Sequence, residues 1–110
     1  MAQEKNFENK IKKWLAANGC YHVKFFANAY TRRGVPDILA CVNGHFVGIE
    51  VKAENGKPSD LQFEHIKELR ESGGFGWIVY PSGWPKLKEM LTILLNDGYT
   101  KFLNESEVLK

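Results

Sequence analysis

The chain has 110 residues, 44% of them hydrophobic and 25% charged, with a net charge of +2. That length suits one domain with one modest core, and that charge does not by itself announce a nucleic-acid partner. No stretch approaches the ~18 apolar residues of a membrane span, the charged start from Met1 to Lys13 lacks a signal-peptide core, and Cys20 and Cys41 form no CxxC pair, so the expectation is a cytosolic protein with reduced thiols and no zinc or disulfide framework.

Residues 3–18 are predicted as a helix, because Phe7, Ile11, Trp14 and Leu15 form one apolar stripe and Gly19 follows as a C-terminal stop. Tyr21 to Phe26 alternates as a strand. Residues 27–36 read as a loop carrying Tyr30, Arg32 and Arg33. Strands are predicted at 37–42 and 45–52, joined by Asn43-Gly44, and residues 54–58 form a polar loop. A second helix is expected over 59–72, stopped by Gly73-Gly74. A strand over 75–80, a turn over 81–85 and a third helix over 86–96 follow; the tail from 97 to 110 receives no assignment. The order α-β-β-β-α-β-α predicts an α/β fold, a central mixed sheet flanked by helices, in a single domain spanning 1–110.

The hairpin raises the functional question. If Asn43-Gly44 is a two-residue turn, counting outward from it places Ile38 opposite Ile49 and Asp37 opposite Glu50. Directly opposed side chains share a face with Cβ atoms about 5 Å apart, and two like charges there are destabilising unless something lies between them. A hard divalent cation such as Mg²⁺ takes carboxylate oxygens and fits that place. Lys52 shares the face by period 2, and Gly48 removes a side chain beside it, which is expected to leave room for a ligand. A single charge on a strand most often marks a solvated face. Here that reading must also explain an unfavourable carboxylate pair with a lysine in register.

Pro36-Asp37 followed by Glu50-Val51-Lys52 resembles the motif of the PD-(D/E)xK nuclease superfamily, whose core is the restriction-endonuclease-like fold. The words GVPDI (34–38), GIEVKAENGKPSDLQ (48–62), GGFGWIVYP (73–81) and EKNFENKIKKWLAANGCYHVK (4–24) are similar to one branch of it, the VRR-NUC family. The resemblance implies that Asp37 and Glu50 hold a catalytic Mg²⁺ or Mn²⁺ together with the backbone carbonyl of Val51. It implies that Lys52 orients the attacking water and stabilises charge on the phosphate. It adds Gln62 as a further site residue, although Ser59-Asp60-Leu61-Gln62 also reads as a capping box. An acidic residue from the first helix is also implied. The branch has Glu at the Glu4 position and usually Gln at the Glu8 position, and both Glu4 and Glu8 remain candidates here.

Tyr30, Arg32, Arg33, Lys57 and Lys24 are candidates for contact with the phosphate backbone. The expected activity is metal-dependent hydrolysis of DNA, leaving a 5′-phosphate. With no spare length for a sequence-reading module, recognition of branched DNA such as a Holliday junction is favoured. A flap nuclease or nickase is the alternative enzyme, and a non-catalytic DNA-binding module the alternative of another class. A two-fold junction needs two equivalent sites, so a homodimer is expected. The stripe Leu87, Leu91, Leu94 and Leu95, widened by Trp84 and Met90, is its candidate surface.

Overall fold

A computed structural model describes residues 2–98 and 106–110. The elements in chain order are α1 (Ala2–Ala17), β1 (Tyr21–Lys24), β2 (Ile38–Val42), β3 (His45–Val51), α2 (Asp60–Glu71), β4 (Phe75–Val79), a short 3₁₀ turn (Pro81–Gly83), α3 (Trp84–Leu95) and β5 (Val108–Leu109). The strands form one mixed sheet in the order β1-β2-β3-β4-β5. The first three pair antiparallel, and β4 and β5 add in parallel. This is the predicted α/β architecture with one strand more: β5 lies in the tail that received no assignment.

Local sequence explains the hairpin. Asn43 and Gly44 both adopt positive φ, 51° and 83°, as a type I′ turn requires. The register then runs from Val42 opposite His45 to Ile38 opposite Ile49, as counted from the turn. Helix α1 ends in a Schellman arrangement, with Gly19 N–H donating to the Ala16 carbonyl at 3.1 Å and Cys20 N–H to the Leu15 carbonyl at 2.9 Å. Helix α3 begins at Trp84 rather than 86, because Pro85 stands in the first turn, where no intrahelical N–H bond is lost.

The two faces of the sheet are covered unequally. On one, Phe7, Ile11 and Leu15 of α1 and Leu87, Leu91 and Leu94 of α3 pack with Ile38, Ala40, Val47, Ile49, Val51 and Trp77 into the main core. On the other, α2 sets Ile66 against Ile78 and Tyr80, with Phe63 beside them. Two expectations change here. Gly48 does not clear room for a ligand: a Cβ at that position would lie 2.7 Å from a Leu69 methyl and 3.0 Å from the Pro36 ring, so the glycine lets α2 and Pro36 close onto the sheet. The α3 stripe is not a free surface either. Leu87, Leu91, Leu94, Trp84 and Met90 are buried within the chain, and Leu95 packs against the same core.

Candidate active site

The site forms where β2 begins and β3 ends, and side chains reach it from both faces of the sheet. Asp37 precedes the first residue of β2 and is fixed on two sides. Its carbonyl accepts from Phe25 N–H at 2.8 Å. Its carboxylate Oδ2 accepts from Val51 N–H at 2.9 Å, extending the β2–β3 ladder with a side chain in place of a carbonyl. That bond brings the Asp37 carboxylate over the end of β3.

Glu50 lies on the α2 face, where Gly48 and Gly76 let the helix approach. It is 3% exposed. Its Oε2 accepts from Gln62 Nε2 at 2.9 Å and lies 3.4 Å from Lys52 Nζ. Its Oε1 is buried without a hydrogen-bond partner. Burial and then the neighbouring Asp37 carboxylate push its pKa up to about 8, and Lys52 offsets them only in part.

Gln62 closes the expected capping box and also reaches Glu50. Its Oε1 accepts from Ser59 N–H at 2.9 Å while its own N–H donates to Ser59 Oγ at 3.2 Å, a complete capping box. The amide nitrogen is left over, and it is the atom that holds Glu50. The cap therefore fixes the orientation of the carboxylate.

From the α1 face comes Glu8, 4% exposed. Its two oxygens take one lysine each, Lys24 at 2.9 Å on Oε1 and Lys12 at 3.2 Å on Oε2. Burial would raise its pKa, but the two ammonium groups outweigh burial and hold it below the usual carboxylate value. Lys24 also reaches Asp37 Oδ1 at 3.3 Å and lies over the Phe26 ring at 5.9 Å from its centroid. Burial works against the Lys24 ammonium, yet Glu8 and Asp37 keep its pKa above the ordinary value. The helix-borne acid that joins the cluster is thus Glu8; the side chain of Glu4, half-buried, has no hydrogen bond or ion pair among the described residues.

Sequence reasoning assigned Lys24 to the phosphate backbone, whereas the structure sets it between two carboxylates. Lys12, at i+4 of Glu8, is the second cation on that carboxylate, as the spacing allows. The remaining basic candidates lie on the loops leading into and out of the cluster. Tyr30 is 97% exposed, and Arg33 and Lys57 are exposed. Arg32 pairs with Glu68 at 2.8 Å on the open surface.

The donor set suits one hard divalent cation. Asp37 and Glu50 converge, and the oxygen of Glu50 without a partner is the kind of atom such an ion satisfies. No three His, Cys, Asp or Glu side chains converge as a ligand group among the described residues, so most of the coordination would fall to backbone, water and substrate. No helix is long and apolar enough to cross a membrane among those residues.

Residues 2–79 match the family described as archaeal Holliday junction resolvase (Hjc). No curated protein and no solved structure matches the chain.

Proposed function

Because the chain belongs to the archaeal Holliday junction resolvase family, a structure-selective DNA nuclease family with a restriction-endonuclease-like fold, we propose that the cluster of Asp37, Glu50, Lys52, Gln62 and Glu8 is its hydrolytic site. The observation that carries this reading is Glu50, a buried carboxylate with one oxygen unpartnered and a second carboxylate beside it. A fold gains no stability from such a pair, and a nuclease needs one.

Mg²⁺ or Mn²⁺ is the cofactor of this reading, and Asp37, Glu50 and the carbonyl of Val51 would hold it. When bound it supplies positive charge against the phosphodiester oxygens. The chain's own residues do the rest. Val51 N–H and Phe25 N–H fix Asp37, and the Gln62 amide fixes Glu50. Lys52, now 3.4 Å from Glu50 Oε2, turns its remaining N–H donors to the attacking water and the phosphate, where negative charge develops. Water attacks phosphorus, the bond to the 3′ oxygen breaks, and a 5′-phosphate and a 3′-hydroxyl result. Tyr30, Arg33 and Lys57 are exposed for the phosphate backbone. Arg32 can exchange Glu68 for phosphate at small cost, because an exposed pair contributes little.

The motif words GVPDI and GIEVKAENGKPSDLQ support a VRR-NUC-type placement within the nuclease superfamily, with residues 1–110 as one nuclease domain. Free Cys20 and Cys41 suit a reducing compartment such as the cytosol. A homodimer supplies the two sites that a symmetric junction requires. With the α3 stripe buried, the open part of the sheet supports the contact. Tyr21, Val23, Leu39 and Phe46 line an apolar groove there with Cys41, on the face that α2 leaves bare.

A panel of four-way junctions, flaps and duplexes, incubated with Mg²⁺, Mn²⁺ or a chelator, tests the reading. Paired, symmetric, metal-dependent incisions in the junction are expected. Binding of the same junction without cleavage in either metal would leave only a DNA-binding module.

A further inference from the structure

Glu8, Asp37 and Glu50 lie at one end of the sheet, with Lys24 between Glu8 and Asp37, and their oxygens are not equally available. Both oxygens of Glu8 carry lysines. Asp37 Oδ2 carries a backbone N–H, and Oδ1 carries Lys24. Glu50 Oε2 carries Gln62 and Lys52. Only Glu50 Oε1 has no partner.

We propose that Lys24 is a tethered cation standing where a second divalent ion would otherwise bind, so that the chain takes one ion between Asp37 and Glu50 and none between Asp37 and Glu8. This inference rests on the metal site proposed above and assigns its ion count. The geometry is that of a bridging cation. One ammonium spans two carboxylates from different elements, at 2.9 Å to Glu8 and 3.3 Å to Asp37. Bridging of this kind is what a metal ion does in a two-ion nuclease site. Lys24 belongs to β1 and faces α1, so it enters from the side of the sheet opposite Glu50 and reaches around the strand ends. Its side chain is 23% exposed, and the Phe26 ring centroid lies 5.9 Å from the ammonium.

Charge points the same way. Glu8 and Asp37 carry two negative charges, and Lys12 and Lys24 return two positive ones. The Lys24 ammonium, in contact with both carboxylates, repels a dication at that place. The Glu50 half has one lysine for a buried acid that still has a free oxygen. A single ion is drawn there. Lys24 is then a positioning residue: it holds Glu8 and Asp37 in place and leaves the ion one place to bind.

The ion count tests this without reference to turnover. Mn²⁺ is titrated into DNA-free protein and bound ion is counted by calorimetry and by the loss of the free-Mn²⁺ resonance signal. Wild type should bind one ion per chain, Lys24→Arg one, and Lys24→Gln two, the second lost again in Lys24→Gln/Glu8→Gln. Two ions in wild type, or one in a folded Lys24→Gln, overturns the inference. If Lys24→Gln folds only in Mn²⁺, its ions are counted after refolding and removal of free metal. If it does not fold at all, wild type and Lys24→Arg decide, and two ions in either overturns the inference. Glu50→Gln separates the two levels: it should abolish the single wild-type ion. An undiminished count in Glu50→Gln would sink the metal site itself rather than the role of Lys24.

Discussion

Glu8 and Glu50 are both buried carboxylates at one end of the same sheet, 4% and 3% exposed. Their surroundings differ. Glu8 receives two ammonium groups, and its pKa falls below the ordinary value. Glu50 receives a neutral amide and one more distant lysine, beside a second carboxylate, and its pKa rises to about 8. Surface exposure is nearly equal, but Glu50 lies deeper, and desolvation is the largest cause of its raised pKa; at Glu8 a smaller desolvation is outweighed by two ammonium groups. In the Glu8 half both carboxylate oxygens are paired. The Glu50 half keeps one buried oxygen without a partner, which is what the proposed cation site requires.

Substitutions break this contrast most strongly in cleavage. Asp37→Ala and Glu50→Gln should each abolish incision of a four-way junction while a gel-shift assay shows binding retained, because neither side chain is a cation that contacts the phosphates. Normal single-turnover rates in either variant would remove the site from that half. Lys52→Ala should slow incision by ~10²-fold or more, the scale of losing one transition-state donor. Its affinity for Mn²⁺ should be kept; calorimetry that finds weakened metal binding with normal turnover at saturating metal would contradict the role.

Stability against pH sharpens the contrast, because the two halves respond with opposite sign. The folded pKa of Glu50 lies above its unfolded value of 4.5, so its proton is bound more tightly in the folded state. Without metal, its contribution is fully favourable below pH 4.5 and is lost as pH rises through about 8, by up to several kcal/mol. Thermal unfolding in chelator should show that decline in wild type and a flatter profile in Glu50→Gln. Glu8 has a lowered folded pKa, so its contribution is present above 4.5 and is lost as pH falls. Glu8→Gln should cost about 2 kcal/mol at neutral pH, since it strands the lysines that the carboxylate pairs. The smallest effects belong to the loops. Arg32→Ala, Arg33→Ala or Lys57→Ala should each weaken junction binding by about 1 kcal/mol or less and reduce its salt dependence. Stability should move by under about 0.5 kcal/mol, because these side chains lie on the surface.

The two halves were also unequally legible in the sequence. The Glu50 half could be counted out from Asn43-Gly44, because a two-residue turn fixes the register of every pair behind it. The capping box located Gln62 in the same way. The Glu8 half could not be counted. Lys24 stands opposite Ile38 across the loop from 25 to 37, whose length and turns follow no register rule. The choice between Glu4 and Glu8 depended on the rotation of α1 about its axis, which the packing of Phe7, Ile11 and Leu15 sets. Strand β5 is a two-residue element with no periodicity to read. The surplus of apolar residues on α3 misled for a related reason, because a helix packed beside α1 and against the sheet buries more than one stripe.

The central claim, that one half of the site is complete and the other awaits a cation, is tested most directly by the thermal unfolding of wild type, Glu8→Gln and Glu50→Gln at pH 8 in chelator and in Mn²⁺. Glu50→Gln should unfold at a higher temperature than wild type in chelator and gain nothing from Mn²⁺. Glu8→Gln should unfold at a lower temperature in chelator and still be raised by Mn²⁺. The opposite pattern, with Mn²⁺ stabilising Glu50→Gln as much as wild type and failing to stabilise Glu8→Gln, would put the ion in the other half and contradict the account.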